Sequence, residues 1–272
     1  MTSLFSPPPA IVNLHRLDTD NVGDLASSPA LYLDFLRDVP RHDLLRVSKR
    51  VARGARLVLF GGGGLLDNDY FRQAWDDVLA ASTAEMIGWG LGHNRHGMPR
   101  GTYPLFLERF SLLGVRDWDL GRVAPVEWVP CASCLHEEFS APHAITTDVV
   151  CYEHARHPLR LDGVATMRNN GRDVVTAIRF LASAETVVTN TYHGMYWATL
   201  LGRKAIVLPY SSKFHGFRYP VAMSTPDKWR SARSSAAGFP EALDECRQAN
   251  LRFADKVRER VSAAAAAPAR SS

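Results

Sequence analysis

The sequence predicts an α/β protein of two halves, each built on a parallel sheet with helices against it. Three observations carry that expectation. Short apolar, β-branched runs alternate with helix-patterned stretches along most of the chain, as in repeated strand–helix–strand units. The alternation loosens between residues 121 and 142, where Pro125, Pro130 and Pro142 interrupt it, which divides residues 1–135 from 136–272. The length, 272 residues, suits two domains of ~100–200 residues each.

Each element follows from its residues. Before Ala10, three consecutive prolines read as a loose arm, since proline joins neither a helix interior nor a central strand. Residues 11–14 form a short apolar strand, followed by the polar loop 15–24. Ser28 then Pro29 is a helix start, and Leu31, Phe35, Leu36 and Val39 continue at helical spacing. Residues 56–60 are a buried strand entering Gly61, Gly62, Gly63 and Gly64, with a helix over 70–82. A strand at 86–89, a helix at 103–110 and a strand at 112–115 complete the first half. In the second half, strands at 145–151 and 163–167 precede an amphipathic helix over 173–184. Residues 187–210 form one further unit: a strand ending at Thr189, a helix with Met195, Ala198 and Leu201 on its apolar face, and a strand at 205–208. A last helix spans 240–261, and the alanine-rich end reads as frayed.

Composition narrows the function classes. With 46% hydrophobic and 22% charged residues and a net charge of +4, the chain is an ordinary globular protein suited to acidic small molecules. It lacks the clustered basic face of a nucleic-acid binder. No apolar run reaches the ~18–20 residues of a membrane span, and the N-terminus has no signal-peptide pattern, so the expectation is a cytoplasmic protein. Four cysteines make no disulfide framework. Cys131 and Cys134, with His136 behind them, lack the second ligand pair a zinc site needs, and no metal is expected.

The polar residues of the 187–210 unit gather in its first turn, where a strand ends and a helix begins. Backbone N–H groups and the helix dipole favour an anion there. His193 and Gly194 lie in that turn. Arg116 and Arg168 end strands and present a planar cationic fork suited to carboxylate or phosphate. Lys213, His215 and Arg218 cluster beyond the last strand. On the first half, Asn21, Gly23 and Asp24 follow the first strand, and Asp67 follows the glycine run. That run is no dinucleotide fingerprint, because Leu66 replaces its last glycine, and without GK[ST] it is no Walker site. Four glycines instead allow close backbone approach to a substrate.

NVGD after the first strand, GGGGLLD, GVRD and the block TNTYHGMYWATLLGRKAIVLPYSSKFHG, in that order, resemble the polysaccharide pyruvyl transferase family along nearly the whole chain. The resemblance implies two Rossmann-like lobes in a GT-B-like arrangement, the first on the acceptor side and the second on the donor side. It implies transfer of a pyruvyl group from phosphoenolpyruvate, a co-substrate with no cofactor beside it, to a saccharide or lipid-linked saccharide of a cell-surface precursor. A soluble chain acting on such an acceptor would be peripheral at a membrane. His193, Gly194 and Lys213 match family positions, whereas Thr191 stands where the family has an arginine, so that either Arg116, Arg168 or Arg218 takes the charge role or the donor has changed. The expected site therefore pairs a donor pocket of Arg116, Arg168, His193, Gly194, Lys213, His215 and Arg218 with an acceptor wall of Asn21, Gly23, the four glycines and Asp67. Asp24 is the candidate base, and protonated His193 the phosphate partner or general acid. The alternatives are a sugar-nucleotide glycosyltransferase on the same scaffold and an inactive binding homologue.

Overall fold

The computed structural model describes residues 8–66, 68–95, 105–120 and 126–266. Its first sheet holds β1 (Ile11–His15), β2 (Arg41–Asp43), β3 (Leu57–Phe60), β4 (Gly63–Leu66), β5 (Glu85–His93), β6 (Phe110–Val115) and β7 (Glu127–Trp128). The order is β2-β1-β3-β5-β6-β7, with β4 also on β5, and every pairing is parallel. Helices α1 (Val22–Leu25), α2 (Lys49–Gly54) and α3 (Asp69–Ala81) accompany it. β3 is buried along its whole length, as a strand covered on both faces must be.

The second sheet is also parallel. Strands β8 (Thr147–Glu153), β9 (Ala165–Arg168), β10 (Ala184–Thr189), β11 (Lys204–Val207) and β12 (Ala222–Met223) run in the order β12-β11-β10-β8-β9. Helices α4 (Val174–Ala182), α5 (Tyr192–Leu200) and the long α6 (Ala242–Ala266) complete the chain. The first sheet ends at Trp128 and the second begins at Thr147, on either side of the proline-interrupted segment.

Helix α6 fastens the halves together. Its first turns put Ala242 and Cys246 into the core of the second sheet. Its later turns put Phe253, Val257 and Val261 against Leu57, Leu59, Ile87 and Trp89 of the first. Between these, Asn250 is fully buried and satisfied: its Oδ1 accepts from Trp89 Nε1 (2.7 Å), and its Nδ2 donates to the carbonyls of Cys246 (2.9 Å) and Pro130 (3.2 Å).

Several local expectations are corrected. Residues 29–39 form two short 3-10 turns, Pro29–Leu31 and Asp34–Leu36, because Leu33 between them is extended. Ser28 still caps the first, accepting from Ala30 N–H. The glycine run expected only to link a strand to a helix becomes strand β4 from Gly63 onward, drawn onto β5. The helix expected near 103–110 is a 3-10 turn over Leu105–Arg109 where it is described. The alanine-rich end is helical through Ala266, alanine being the best helix former, and Arg56 Nε donates to the Ala264 carbonyl (2.7 Å). Helix α5 has no polar face: all nine residues are buried, because α4, α6, β10 and β11 pack around it. Its polar atoms are satisfied internally, Tyr196 donating to the Cys131 carbonyl (2.9 Å) and Trp197 Nε1 to Ser133 Oγ (3.0 Å).

Candidate functional site

The carboxyl ends of both sets of strands face one cleft of about 460 Å³. Arg16 follows β1, Asn94 follows β5 and Arg116 follows β6; from the second sheet come His154 after β8, Asn169 after β9 and Thr191 after β10. Parallel strands end on one edge, so each contributes a residue of the loop that follows it to the same crevice. The walls are joined by Asn169 Nδ2 donating to Asn21 Oδ1 (3.0 Å), Gly171 N–H donating to the Asp20 carbonyl (2.6 Å) and Ser212 N–H donating to the Arg95 carbonyl (2.9 Å).

Arg116 is the centre of the cationic end. Only 3% exposed, it lies over the Tyr192 ring, 3.6 Å from the centroid. Its side chain has no hydrogen bond or ion pair among the described residues, and its Nε is buried without a partner. Two glycines make room for it: a Cβ on Gly92 would lie 2.0 Å from Arg116 Nε, and one on Gly64 would lie 3.1 Å from an Nη. Burying a guanidinium without an ion pair among the described residues is costly, so this arrangement favours an anionic ligand.

Lys213 is 8% exposed and donates to the Tyr210 hydroxyl (2.9 Å), with its ammonium 4.5 Å from the Tyr210 centroid. Burial and then the nearby Arg116 push its pKa down to about 7, Asp24 opposing. Asp24, half-buried on the opposite wall, is shifted upward, by burial first, against the pull of Arg16, Lys213 and Arg116. Arg16 also lines the cleft, but it is already paired with Asp43.

His193 lines the same cleft with its ring wedged between the halves. A Cβ on Gly23 would stand 1.9 Å from His193 Nδ1, while Nε2 lies 3.4 Å from Cys131 Sγ. Burial, then Arg116 and Lys213, hold this imidazole well below its ordinary pKa. The expected protonated His193 is therefore corrected to a neutral ring: a low-dielectric site already holding two cations disfavours a third.

The structure brings together Asn21, Gly23, Asp24, Gly64, Arg116, His193 and Lys213. Others fall elsewhere. Arg168 pairs with Glu153 (2.9 Å) outside the cleft. Arg218 pairs with Glu245 (3.0 Å) and stacks on Trp118 and Trp128. His215 is exposed on the far side of the turn that carries Lys213 and does not line the cleft. Gly61, Gly62 and Gly63 lie behind the wall, Gly61 against Asn13 and Gly62 against Ser27. Gly194 gives its N–H to Thr191 Oγ1 (2.8 Å), so Thr191 is the N-cap of α5 and Gly194 has no free donor. Asp67 lies outside the described residues. The sequence gives no site role to Arg16 or Tyr210; Arg16 stands just past a strand end, as Arg116 does, and that placement was the available signal.

The four cysteines are free and buried, and among the described residues no group of three or more His, Cys, Asp or Glu is placed to hold a metal. Among them, too, no helix is long and apolar enough to cross a membrane.

No protein-family model and no curated protein matches the sequence. Among solved structures, a functionally uncharacterised protein from Klebsiella pneumoniae is similar at 17% identity and a TM-score of 0.53, over 79% of this chain and 93% of that one. The wall teichoic acid polymerase TagF aligns over 94% of this chain and 88% of its own, at 10% identity and a TM-score of 0.45. The Klebsiella structure supports a shared α/β fold, and the TagF alignment is too loose to carry more.

Proposed function

We propose that the chain is a transferase of the GT-B-like kind that moves the pyruvyl group of phosphoenolpyruvate onto a saccharide acceptor, forming a pyruvate ketal. The observation that carries this reading is the buried Arg116, without a hydrogen bond or ion pair among the described residues, facing the same cleft as Lys213, a setting suited to a small donor with a carboxylate and a phosphate. Arg116 takes the charge role that the arginine at the Thr191 position would have filled, and Arg168 and Arg218 do not.

In this reading the first acceptor hydroxyl adds to C2 of the donor as a proton reaches C3, turning the methylene into a methyl. A second hydroxyl then displaces phosphate from C2 and closes the ketal. Of the two hydroxyl protons given up, one is balanced by the proton on C3 and the other leaves with phosphate. Lys213, its pKa lowered to about 7, is the proton donor. Asp24, its affinity for a proton raised, is the acceptor of the hydroxyl proton, with neutral His193 lining the same cleft. No cofactor enters these steps. A cytoplasmic protein, peripheral at the membrane that bears the acceptor, belongs to the same proposal.

Phosphate release from phosphoenolpyruvate in the presence of acceptor tests it. Asp24→Asn and His193→Ala each lower turnover by about a hundredfold; unchanged turnover in both removes these assignments. Thermal shifts with phosphoenolpyruvate against UDP- and GDP-sugars separate this activity from sugar-nucleotide transfer, since a ligand of the native state alone stabilises it. Stabilisation by neither donor points to a binding protein without activity.

A further inference from the structure

Beyond Lys213 the cleft becomes aromatic. The rings of His154, His157 and Tyr210 form one cluster: His154–His157 at 4.9 Å and 38°, His157–Tyr210 at 4.7 Å and 42°, and His154–Tyr210 at 5.5 Å and 70°. All three line the cleft. The turn carrying the histidines is fixed from below. His154 and His157 pair across it, and the buried Asn190 side chain accepts from His154 N–H (2.7 Å) while donating to the His157 carbonyl (2.8 Å). Two hydrogen bonds from one amide hold the backbone at both ends, so the rings are presented by a set geometry.

The facing wall is polar. Asn21 Oδ1 is occupied by Asn169 Nδ2 and by the Asp24 N–H, which leaves Asn21 Nδ2 without a partner among the described residues. Asp20, which precedes it in the chain, also lines the cleft, exposed, with a carboxylate that pairs with no described residue. Tyr70, 66% exposed, also lines this side.

We infer that this end of the cleft is a pyranose-binding subsite, in which the C–H face of one sugar ring packs on His157 and Tyr210 while Asn21 and Asp20 bind adjacent hydroxyls. A pyranose presents an apolar face of C–H bonds and a rim of hydroxyls, each both donor and acceptor. An aromatic surface together with one amide donor and one carboxylate acceptor that no described residue occupies matches both features. The rings are mutually tilted and make a shallow cup, which suits a puckered sugar better than a flat base needing a parallel slot. That the sugar is the pyruvyl acceptor rests on the function proposed above; that the subsite binds a sugar does not.

The test uses the full chain without donor, titrated with methyl β-galactoside, methyl β-glucoside and methyl α-mannoside, with uridine as the nucleobase probe, and read by saturation-transfer NMR. At least one glycoside binds, and His157→Ala and Tyr70→Ala each weaken it by about tenfold, while calorimetric affinity for phosphoenolpyruvate stays within about twofold because Arg116 and Lys213 are untouched. His157→Ala keeps the backbone carbonyl that Asn190 binds, and Tyr70 is exposed, so both variants remain folded. Absence of binding by every glycoside, unchanged binding in both variants, or His157-dependent binding of uridine alone overturns the inference. Glycoside binding that depends on His157 in a protein that ignores phosphoenolpyruvate upholds the subsite and removes the pyruvyl-transfer reading.

Discussion

Replacing Lys213 by methionine is expected to stabilise the protein while weakening its grip on anions. The lysine's pKa falls from an ordinary 10.5 to about 7, chiefly through burial. Between those values the unfolded chain binds a proton that the folded chain does not, so this residue makes stability rise with pH from about 7 to about 10. At about 1.4 kcal/mol per pH unit, the penalty carried by the wild type near neutrality is on the order of 4 kcal/mol. Methionine keeps the apolar stem among Tyr210 and Phe214 and removes the charge, but it also loses the bond to the Tyr210 hydroxyl, worth about 1.5–3 kcal/mol for a charged donor. The net gain at pH 7 is about 1–3 kcal/mol, raising Tm by a few degrees at about 2–4 °C per kcal/mol. Thermal melts at pH 7 and pH 10 read it: the variant melts higher at pH 7, and its advantage shrinks or reverses by pH 10. In phosphate buffer the wild type gains more than the variant. A lower Tm at pH 7, or an advantage independent of pH, refutes the reasoning.

Further outcomes follow from the same geometry. Gly92→Ala puts a methyl 2.0 Å from Arg116 Nε and displaces that side chain; anion affinity measured by calorimetry falls by about tenfold or more, with a stability cost of about 1–3 kcal/mol. Gly23→Ala drives a methyl into the His193 ring at 1.9 Å, and urea denaturation shows a loss of about 1–3 kcal/mol as the junction between the halves opens. Asn250→Leu strips Trp89 Nε1 of its acceptor; urea denaturation reports a loss of about 1–3 kcal/mol.

The strand pattern was legible in the sequence because the central strands of both parallel sheets are buried, so β3 reads as a continuous apolar run and β10 carries Val187 and Val188 at its core. The turn at Thr191 and His193 was legible for the same reason, as a polar break between two apolar elements. What sequence could not reach was side-chain partnership. Arg116, Arg168 and Arg218 look alike in the chain, but Glu153 and Glu245 claim two of them and leave the first to the cleft. His193 read as a protonatable imidazole because nothing in the sequence shows Gly23 and Cys131 closing around it. The 29–39 segment carried helical spacing, and Leu33 broke it because the turns that pack Leu36 into the core suit two short pieces. The aromatic cluster escaped notice because His154 and Tyr210 are far apart in the chain and meet only when β8 and β11 end on one edge.

The most direct measurement is calorimetric titration of phosphoenolpyruvate into the wild type, Arg116→Met and Arg168→Met. A single cleft that grips the donor through the buried Arg116 predicts one binding site, weakened by about a hundredfold in Arg116→Met, at about 1.4 kcal/mol per tenfold, and unchanged in Arg168→Met. Equal affinity in all three proteins, or no binding by any of them, contradicts the account.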